Sequence, residues 1–314
     1  MTQCCADCGV AGGVSLKVCK SCMLVRYCNA DCQKSHWPRH KIECKQRAAE
    51  IRDEALFKDP PAKEDCPICF LPMPTKLIFC VSLPPATITS VPICDFMEAN
   101  EELADEAMDV YYPCCGKTIC QGCKHSCRES GNSGKCPFCN SEGGNTDEER
   151  VEQIMKRVEA NDAASICMLA HHYHLGLRGV QQDQAKAMEL YGRAAELGNT
   201  KAHRGLGGIY HQRGDMKKAK FHFEAAAMAG DEVARFNIGV GEAQSGNMER
   251  AIKHFIIAAS AGESRSMHNL IKLFEGGAVS RESIDSILAA YNSSCKEMRS
   301  EARDAAIQLE TDTI

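Results

Sequence analysis

The sequence predicts a multi-domain protein: two small metal-stabilised fingers, then an all-α solenoid. Three observations carry this. Of the 21 cysteines, 19 lie before residue 140, most of them in Cys-x2-Cys pairs. Beyond residue 160 the chain repeats itself, with Gly198, Gly230 and Gly262 recurring every 32 residues. A chain of 314 residues with 44% hydrophobic composition can also hold two or three domains and a sizeable core.

From Cys5 to Cys44 the chain reads CADC, CKSC, YCNADC and HWPRHKIEC. Each short pair bends the backbone so that two sulfurs, or a sulfur and an imidazole, reach one ion, as tetrahedral zinc requires. Free core cysteines do not fall at such intervals. A disulfide framework is not expected either, because MTQCCADC has no apolar run of the kind a secretory signal needs. Without a route to an oxidising compartment, metal binding is the expected use of the thiols. The spacing resembles the MYND-type zinc finger, which holds two zincs in interleaved fashion. The resemblance implies Cys5, Cys8, Cys28 and Cys32 at the first zinc, and Cys19, Cys22, His40 and Cys44 at the second. Cys4 falls outside the register, and His36 beside Trp37 is the weaker alternative ligand. A segment this small buries too little apolar surface to fold alone, so metal supplies most of its folding free energy. Four protein ligands per ion leave no open position, which makes these zincs structural. The resemblance also implies a shallow groove for proline-rich peptide motifs, lined by Gln33 and Trp37. The alternative is that Trp37 only packs its own finger.

Residues 45–58, KQRAAEIRDEALFK, predict a short charged helix leaving the finger, ended by Asp59, Pro60 and Pro61 because proline lacks the helix N–H. The first module therefore spans 1–46 and a helical linker 47–64. The second cysteine cluster, at 65–141, comprises Cys66-Pro-Ile-Cys69, Cys115 through Cys120 and Cys123, and Cys136-Pro-Phe-Cys139. It resembles the RING-type finger, a cross-brace that also interleaves two zincs. The resemblance implies Cys66, Cys69, Cys120 and Cys123 at one ion, and Cys115, Cys136 and Cys139 at the other. Where a common RING has His two residues after Cys115, this chain has Lys117, whose ammonium has no lone pair to offer. Cys114 is the most economical fourth ligand, as in the all-cysteine subtype; His125, Cys94 and Cys80 are the alternatives. About four structural Zn2+ ions are expected in all.

The segment between Cys69 and Cys114 is long for that family. Its middle, FCVSLPPATITSVPICDF, is β-branched and proline-punctuated, which suggests an extended edge strand. The acidic stretch EANEELADEAMD suggests a solvated helix, with Leu103, Ala107 and Val110 at helical spacing. A docking site for a partner is the alternative reading.

Thr146 and Glu149 then form a candidate capping box, followed by Val151, Ile154, Met155 and Val158 on one helical face. Over 147–314 the landmarks AAELGNTKA, AAAMAGDEVA and AASAGESRS mark a helical repeat. Small alanines let neighbouring helices approach closely, and glycines end helices in the left-handed conformation. These are marks of an α-solenoid. The run ASICMLAHHYHLGLRGVQQDQAKAMELYGRAAELG resembles Sel1-like repeats, relatives of the tetratricopeptide family. A fourth unit from about 266 is degenerate and is expected to merge into a polar helix, SSCKEMRSEARDAAIQLE, that caps the stack. The helix at 147–160 caps the other end. His171, His172 and His174 place at most two rings on one helical face, so no metal site is expected there.

Net charge is −5, and no segment is basic enough to predict nucleic-acid binding. No run of 18 apolar residues suggests a membrane span, so a cytoplasmic or nuclear protein is expected. No GxSxG, GxxxxGK[ST] or HExxH motif is present. Nor does anything resemble the catalytic domain of MYND-bearing lysine methyltransferases. The architecture is one for bringing proteins together. If the RING resemblance carries function, the protein is a zinc-binding adaptor and ubiquitin ligase. Ile68 and Pro137 would then dock a ubiquitin-conjugating enzyme, while the MYND finger and the solenoid recruit targets. Against this, Asn140 stands where many active RINGs place a cation. The alternative is a non-catalytic scaffold with a structural RING-like finger.

Overall fold

The computed structural model describes residues 5–10, 15–74, 109–132, 134–144 and 146–311. Cys4, Cys80, Cys94, the expected edge strand and most of the expected acidic helix lie outside these residues. The chain divides into two compact units, Met1–Lys58 and Asp59–Ile314.

In the first unit, β1 (Lys17–Val18) pairs antiparallel with β2 (Arg26–Tyr27). Helix α1 (Ala30–Leu56) follows, its N-terminus capped by Asn29, whose side chain accepts from the Cys32 N–H at 2.8 Å. The sequence predicted a helix only from residue 45, with a linker beginning at 47. Instead α1 starts fifteen residues earlier and carries Pro38 inside it. The periodicity of the chain explains this: Cys32, His36, His40 and Cys44 follow at steps of four, one stripe along α1, and Cys28 lies just before its cap. Clustering that stripe outweighs the hydrogen bond that Pro38 removes.

The second unit begins as an extended segment at 59–64. Lys63 is largely buried, with its ammonium 3.7 Å from the Glu232 carboxylate and 3.4 Å from Met298 Sδ. The second finger contains β3 (Asp109–Tyr112), β4 (Lys117–Cys120) and α2 (Gln121–Glu129). The strands pair antiparallel, Val110 opposite Ile119 and Tyr112 opposite Lys117. Asp109 and Val110, expected at the end of a helix, are thus in a strand. The Val-Tyr-Tyr run suits a half-buried hairpin better than a helix.

The solenoid begins with α3 (Asp147–Glu159), opened by the Thr146–Glu149 capping box. Then come α4 (Ala163–Leu175), α5 (Gln184–Glu196), α6 (Thr200–Gln212), α7 (Met216–Met228), α8 (Glu232–Gln244), α9 (Met248–Ser260), α10 (Ser264–Glu275) and α11 (Arg281–Glu297). From α6 to α10 each helix starts 16 residues after the last, so a pair of helices makes the 32-residue period. Gly198, Gly230 and Gly262 have φ of +85°, +97° and +92°, a conformation that lets each helix reverse into the next. Asp183, Asn199, Asp215 and Asp231 then cap the following N-termini through their side-chain oxygens, each worth roughly 1 kcal/mol. Ala187, Ala194, Ala202, Ala226, Ala227, Ala234, Ala251, Ala258 and Ala259 are wholly buried where helices cross.

The fourth unit departs from expectation. The polar run after residue 293 is two helices, α11 ending at Glu297 and α12 (Glu301–Thr311) starting beyond a break. Ser300 supports the restart, its hydroxyl accepting from the Arg303 N–H at 3.3 Å. Helix α12 leaves the stack and packs on α2 of the second finger.

Two buried solenoid histidines set an acid limit on stability. Burial, with the nearby His171 and Arg178, pushes His172 down to about 4. Burial, with Arg235 and Arg250, does the same to His254, also to about 4. Both rings are therefore neutral when folded, whereas the unfolded chain takes up protons near pH 6.5. Their contribution is intact above pH 6.5 and is lost as pH falls from 6.5 toward 4. Urea melts followed by helicity should show a drop in stability between pH 7.5 and 5. The drop should shrink in the His172→Gln, His254→Gln double variant. Equal pH slopes for the two proteins would refute this account.

Candidate metal centres and docking surfaces

Among the described residues, four groups of side chains bring their donor atoms within 4.8 Å of one another: Cys5, Cys8, Cys28 and Cys32; Cys19, Cys22, His40 and Cys44; Cys66, Cys69, Cys120 and Cys123; Cys114, Cys115, Cys136 and Cys139. The spacings within them have the scale of a tetrahedron. Zinc–sulfur bonds of about 2.3 Å set a sulfur–sulfur edge of about 3.8 Å. Observed edges include Cys8–Cys28 at 3.7 Å, Cys19–Cys44 at 3.7 Å, Cys66–Cys123 at 3.7 Å and Cys69–Cys120 at 3.8 Å. Cys115–Cys136 at 3.5 Å and Cys114–Cys139 at 3.4 Å are slightly shorter. All are far beyond the 2.05 Å of a disulfide.

One local device supplies half of the ligands in each of the four groups. In the pairs beginning at Cys5, Cys19, Cys66 and Cys136, the N–H four residues on donates to the first cysteine's carbonyl, at 2.8–2.9 Å. The donors, Gly9, Met23, Phe70 and Asn140, have φ of +70°, +58°, +56° and +57°. This tight reversal turns both sulfurs to one side. Neighbouring Cys114 and Cys115 are served by another reversal, in which the Cys115 and Gly116 N–H groups both donate to the Tyr112 carbonyl.

The electrostatics call for a cation. At Cys5 the Cys8 N–H, working against burial, lowers the thiol to about 6. Burial raises Cys66, but the N–H groups of Cys120, Cys69 and Ile68 outweigh it and leave the thiol at about 7. Once one sulfur in a group ionises, its neighbours resist: burial and the Cys19 and Cys22 sulfurs push Cys44 up to about 12. A divalent ion at the centre removes that conflict. His40 turns Nε2 toward Cys22 Sγ at 3.2 Å, and its Nδ1 faces Glu43 at 3.5 Å. That is how a metal-bound imidazole is commonly oriented. The residues therefore fit about four structural zinc ions.

The alternatives are placed elsewhere. His36 Nδ1 lies 2.9 Å from the Tyr27 hydroxyl, and its ring stacks on His40 at 5.5 Å. His125 lies on α2 and is in none of the four groups. Gln33 and Trp37, one turn apart on α1, are both exposed, Trp37 by 40%. On the second finger Ile68 is 37% exposed and Pro137 half-buried. Sequence reasoning missed two aromatic neighbours on the same reversals, Phe70 and Phe138, which are 76% and 39% exposed. Phe70 is notable because a bulky side chain at positive φ is strained. The available signal was the position after Cys69, which the reversal requires to be left-handed.

The second finger is joined to the solenoid by polar contacts. The Tyr111 hydroxyl donates to Asp162 Oδ1 at 2.9 Å, and the solenoid's own Arg157 holds that carboxylate by donating to Oδ2 at 2.6 Å. Lys201 pairs with Asp109 at 2.5 Å.

Comparison with known proteins supports the first finger and the repeats of this anatomy. Residues 5–44 match the MYND finger family profile, and residues 163–199, 200–231 and 234–263 match the Sel1 repeat. The chain therefore carries an N-terminal MYND zinc finger and an all-helical solenoid of Sel1 repeats, an architecture of protein-interaction modules. It is 40% identical over 56 residues to SET domain and MYND-type zinc finger protein 6 of Schizosaccharomyces pombe, covering 18% of this chain and 11% of that one. It is 49% identical over 41 residues to ubiquitin carboxyl-terminal hydrolase 19 of Arabidopsis thaliana, covering 13% and 6%. The chain thus spans about a tenth or less of these relatives' lengths. Among solved structures, it is similar to a Sel1 repeat protein from Oxalobacter formigenes, at 20% identity and TM-score 0.43, over 57% of this chain and 72% of that one. It is also similar to c5321, a protective antigen of uropathogenic Escherichia coli with an SLR fold, at 21% identity and TM-score 0.40, over 62% and 44%. Among the described residues no helix is long and apolar enough to cross a membrane.

Proposed function

We propose that this chain is a zinc-organised adaptor that acts as a RING-type ubiquitin ligase, with domains at 1–46, 65–141 and 147–314, working in the cytoplasm or nucleus. The observation that supports it most is the interleaved order of the second finger. Cys114 and Cys115 fall in sequence between the two halves of the first group, Cys66–Cys69 and Cys120–Cys123, and join the later pair Cys136–Cys139. Two reversals of the same kind then offer apolar side chains to solvent, Ile68 and Phe70 on one, Pro137 and Phe138 on the other.

Such a finger makes and breaks no bonds itself. It would seat a ubiquitin-charged conjugating enzyme and hold the thioester where an amine can attack, which is catalysis by positioning. Cys66, Cys69, Cys136 and Cys139 would anchor the two reversals to zinc, and the chain's own contribution is the exposed apolar surface. Targets would arrive through Gln33 and Trp37, which suit a proline-rich peptide, and through the solenoid.

The test is discharge of ubiquitin from a panel of charged conjugating enzymes onto free lysine. Wild type should accelerate discharge with at least one enzyme. Ile68→Ala, at equal zinc content, should lose about 30-fold or more of that acceleration, as expected for a docking residue worth about 2 kcal/mol. Should no enzyme in a broad panel respond, the scaffold reading replaces this one. Asn140 favours that second reading: at φ of +57° it suits the reversal but lacks the charge that strengthens a hydrogen bond.

A further inference from the structure

Arg303 of α12 is 2% exposed, and its guanidinium has five N–H groups to satisfy. All five have acceptors. Nε lies 3.3 Å from Cys120 Sγ, and Nη2 lies 3.4 Å from Cys69 Sγ and 3.3 Å from the Leu71 carbonyl. Nη1 donates to the carbonyls of Pro72 at 2.8 Å and Met298 at 2.6 Å. Two of the five therefore go to sulfurs of one tetrahedral group, and two more to the backbone just after it. Gly122 of α2 makes the approach possible, since a Cβ there would fall 2.7 Å from the Arg303 backbone nitrogen.

We propose that Arg303 is a positioning residue for the zinc centre formed by Cys66, Cys69, Cys120 and Cys123, supplied by a helix that lies beyond the whole solenoid. A zinc ion held by four thiolates leaves two surplus negative charges in a buried place, where charge is costly. The guanidinium offsets one of them. Its N–H groups draw density from two sulfurs, which makes those sulfurs poorer targets for protons and electrophiles. Its bonds to Leu71 and Pro72 fix the chain that leads away from Cys69. Outer partners of this kind commonly change metal affinity by 10–100-fold. The centre at Cys114, Cys115, Cys136 and Cys139 is built differently, with Cys139 Sγ set 3.2 Å from the Ser141 hydroxyl.

The experiment uses the full zinc-loaded chain. Zinc transfer to a chromogenic chelator is timed while mass spectrometry follows which cysteines become alkylated. Arg303→Met should release one zinc about 10–100-fold faster than wild type, with Cys66, Cys69, Cys120 and Cys123 alkylated together. Cys114, Cys115, Cys136, Cys139 and the MYND cysteines should keep their wild-type rates. Arg303→Lys keeps the charge but not the fork, and should fall between the two. Wild-type release from Arg303→Met would overturn the proposal. So would an acceleration shared by every centre, the mark of general loosening. A measurement on wild type needs no variant to fold. With 113Cd in place of zinc, the Arg303 Nε proton should show scalar coupling to one cadmium through the N–H···S bond. A spectrum in which that proton couples to no cadmium would also overturn it.

Discussion

Stripping the zinc at neutral pH is expected to unfold both fingers and leave the solenoid standing. The groups at 5–44 and 66–139 own few buried residues besides their ligands: Tyr27 in the first, Ile119 in the second. Structural zinc contributes an apparent ~10–16 kcal/mol at pH 7, far more than such small cores could replace. The solenoid instead buries Ile166, Leu169, Leu206 and Ile209 at one end, and Phe255, Leu270, Ile284 and Tyr291 at the other, none of which belongs to the four metal-binding groups. A strong chelator should therefore expose the finger cysteines and proteolytic sites in 5–74 and 109–144, while most helical signal survives and melts as before. Loss of the helical signal at the same chelator concentration as the fingers would contradict this separation.

The second large effect is expected from Gly122→Ala. On helix propensity alone this substitution should stabilise α2 by about 1 kcal/mol. The packing predicts the opposite sign. The new Cβ would sit 2.6 Å from Arg303 Cγ and 2.7 and 2.8 Å from the Arg303 backbone nitrogen and Cα. Backbone atoms cannot swing aside as a flexible side-chain tip can, so α12 must withdraw. Overpacking of this kind costs about 1–3 kcal/mol and more when the backbone is forced to move. Hydrogen exchange should show α12 losing protection, with new cleavage between Met298 and Glu301. If α12 stays as protected as in wild type, the close approach at Gly122 is not what holds it.

The parts of this molecule that were legible in its sequence are those decided within a few residues. Cysteine pairs disclose tight reversals because only short steps let two sulfurs meet, and the 32-residue glycine interval discloses helices that must stop in the left-handed conformation. Thr146 and Glu149 announced a helix start through two hydrogen bonds that each residue needs from the other. What escaped was decided by contacts far apart in the chain, or by one local rule overriding another. Pro38 argued against a helix that the stripe Cys32, His36, His40 and Cys44 nonetheless imposes. Val110 fitted a helical face until Ile119 offered it a strand partner. Nothing near Arg303 marks it as different from the other cations of a polar helix, because its acceptors lie at Cys69, Leu71, Pro72 and Cys120.

The placement of Arg303 bears on how the chain is made. A ribosome releases the amino end first, so the second finger's last cysteine emerges long before α12 exists. Roughly 160 residues separate Gly144 from Arg303, which is about 10–30 s of synthesis at ordinary speeds. Throughout that interval Cys69 and Cys120 stand without their guanidinium. Any message cut short within the solenoid yields a finger that never receives it. A product that includes α12 is thus told apart from one that stops within the solenoid by the chemistry of two sulfurs in the second finger.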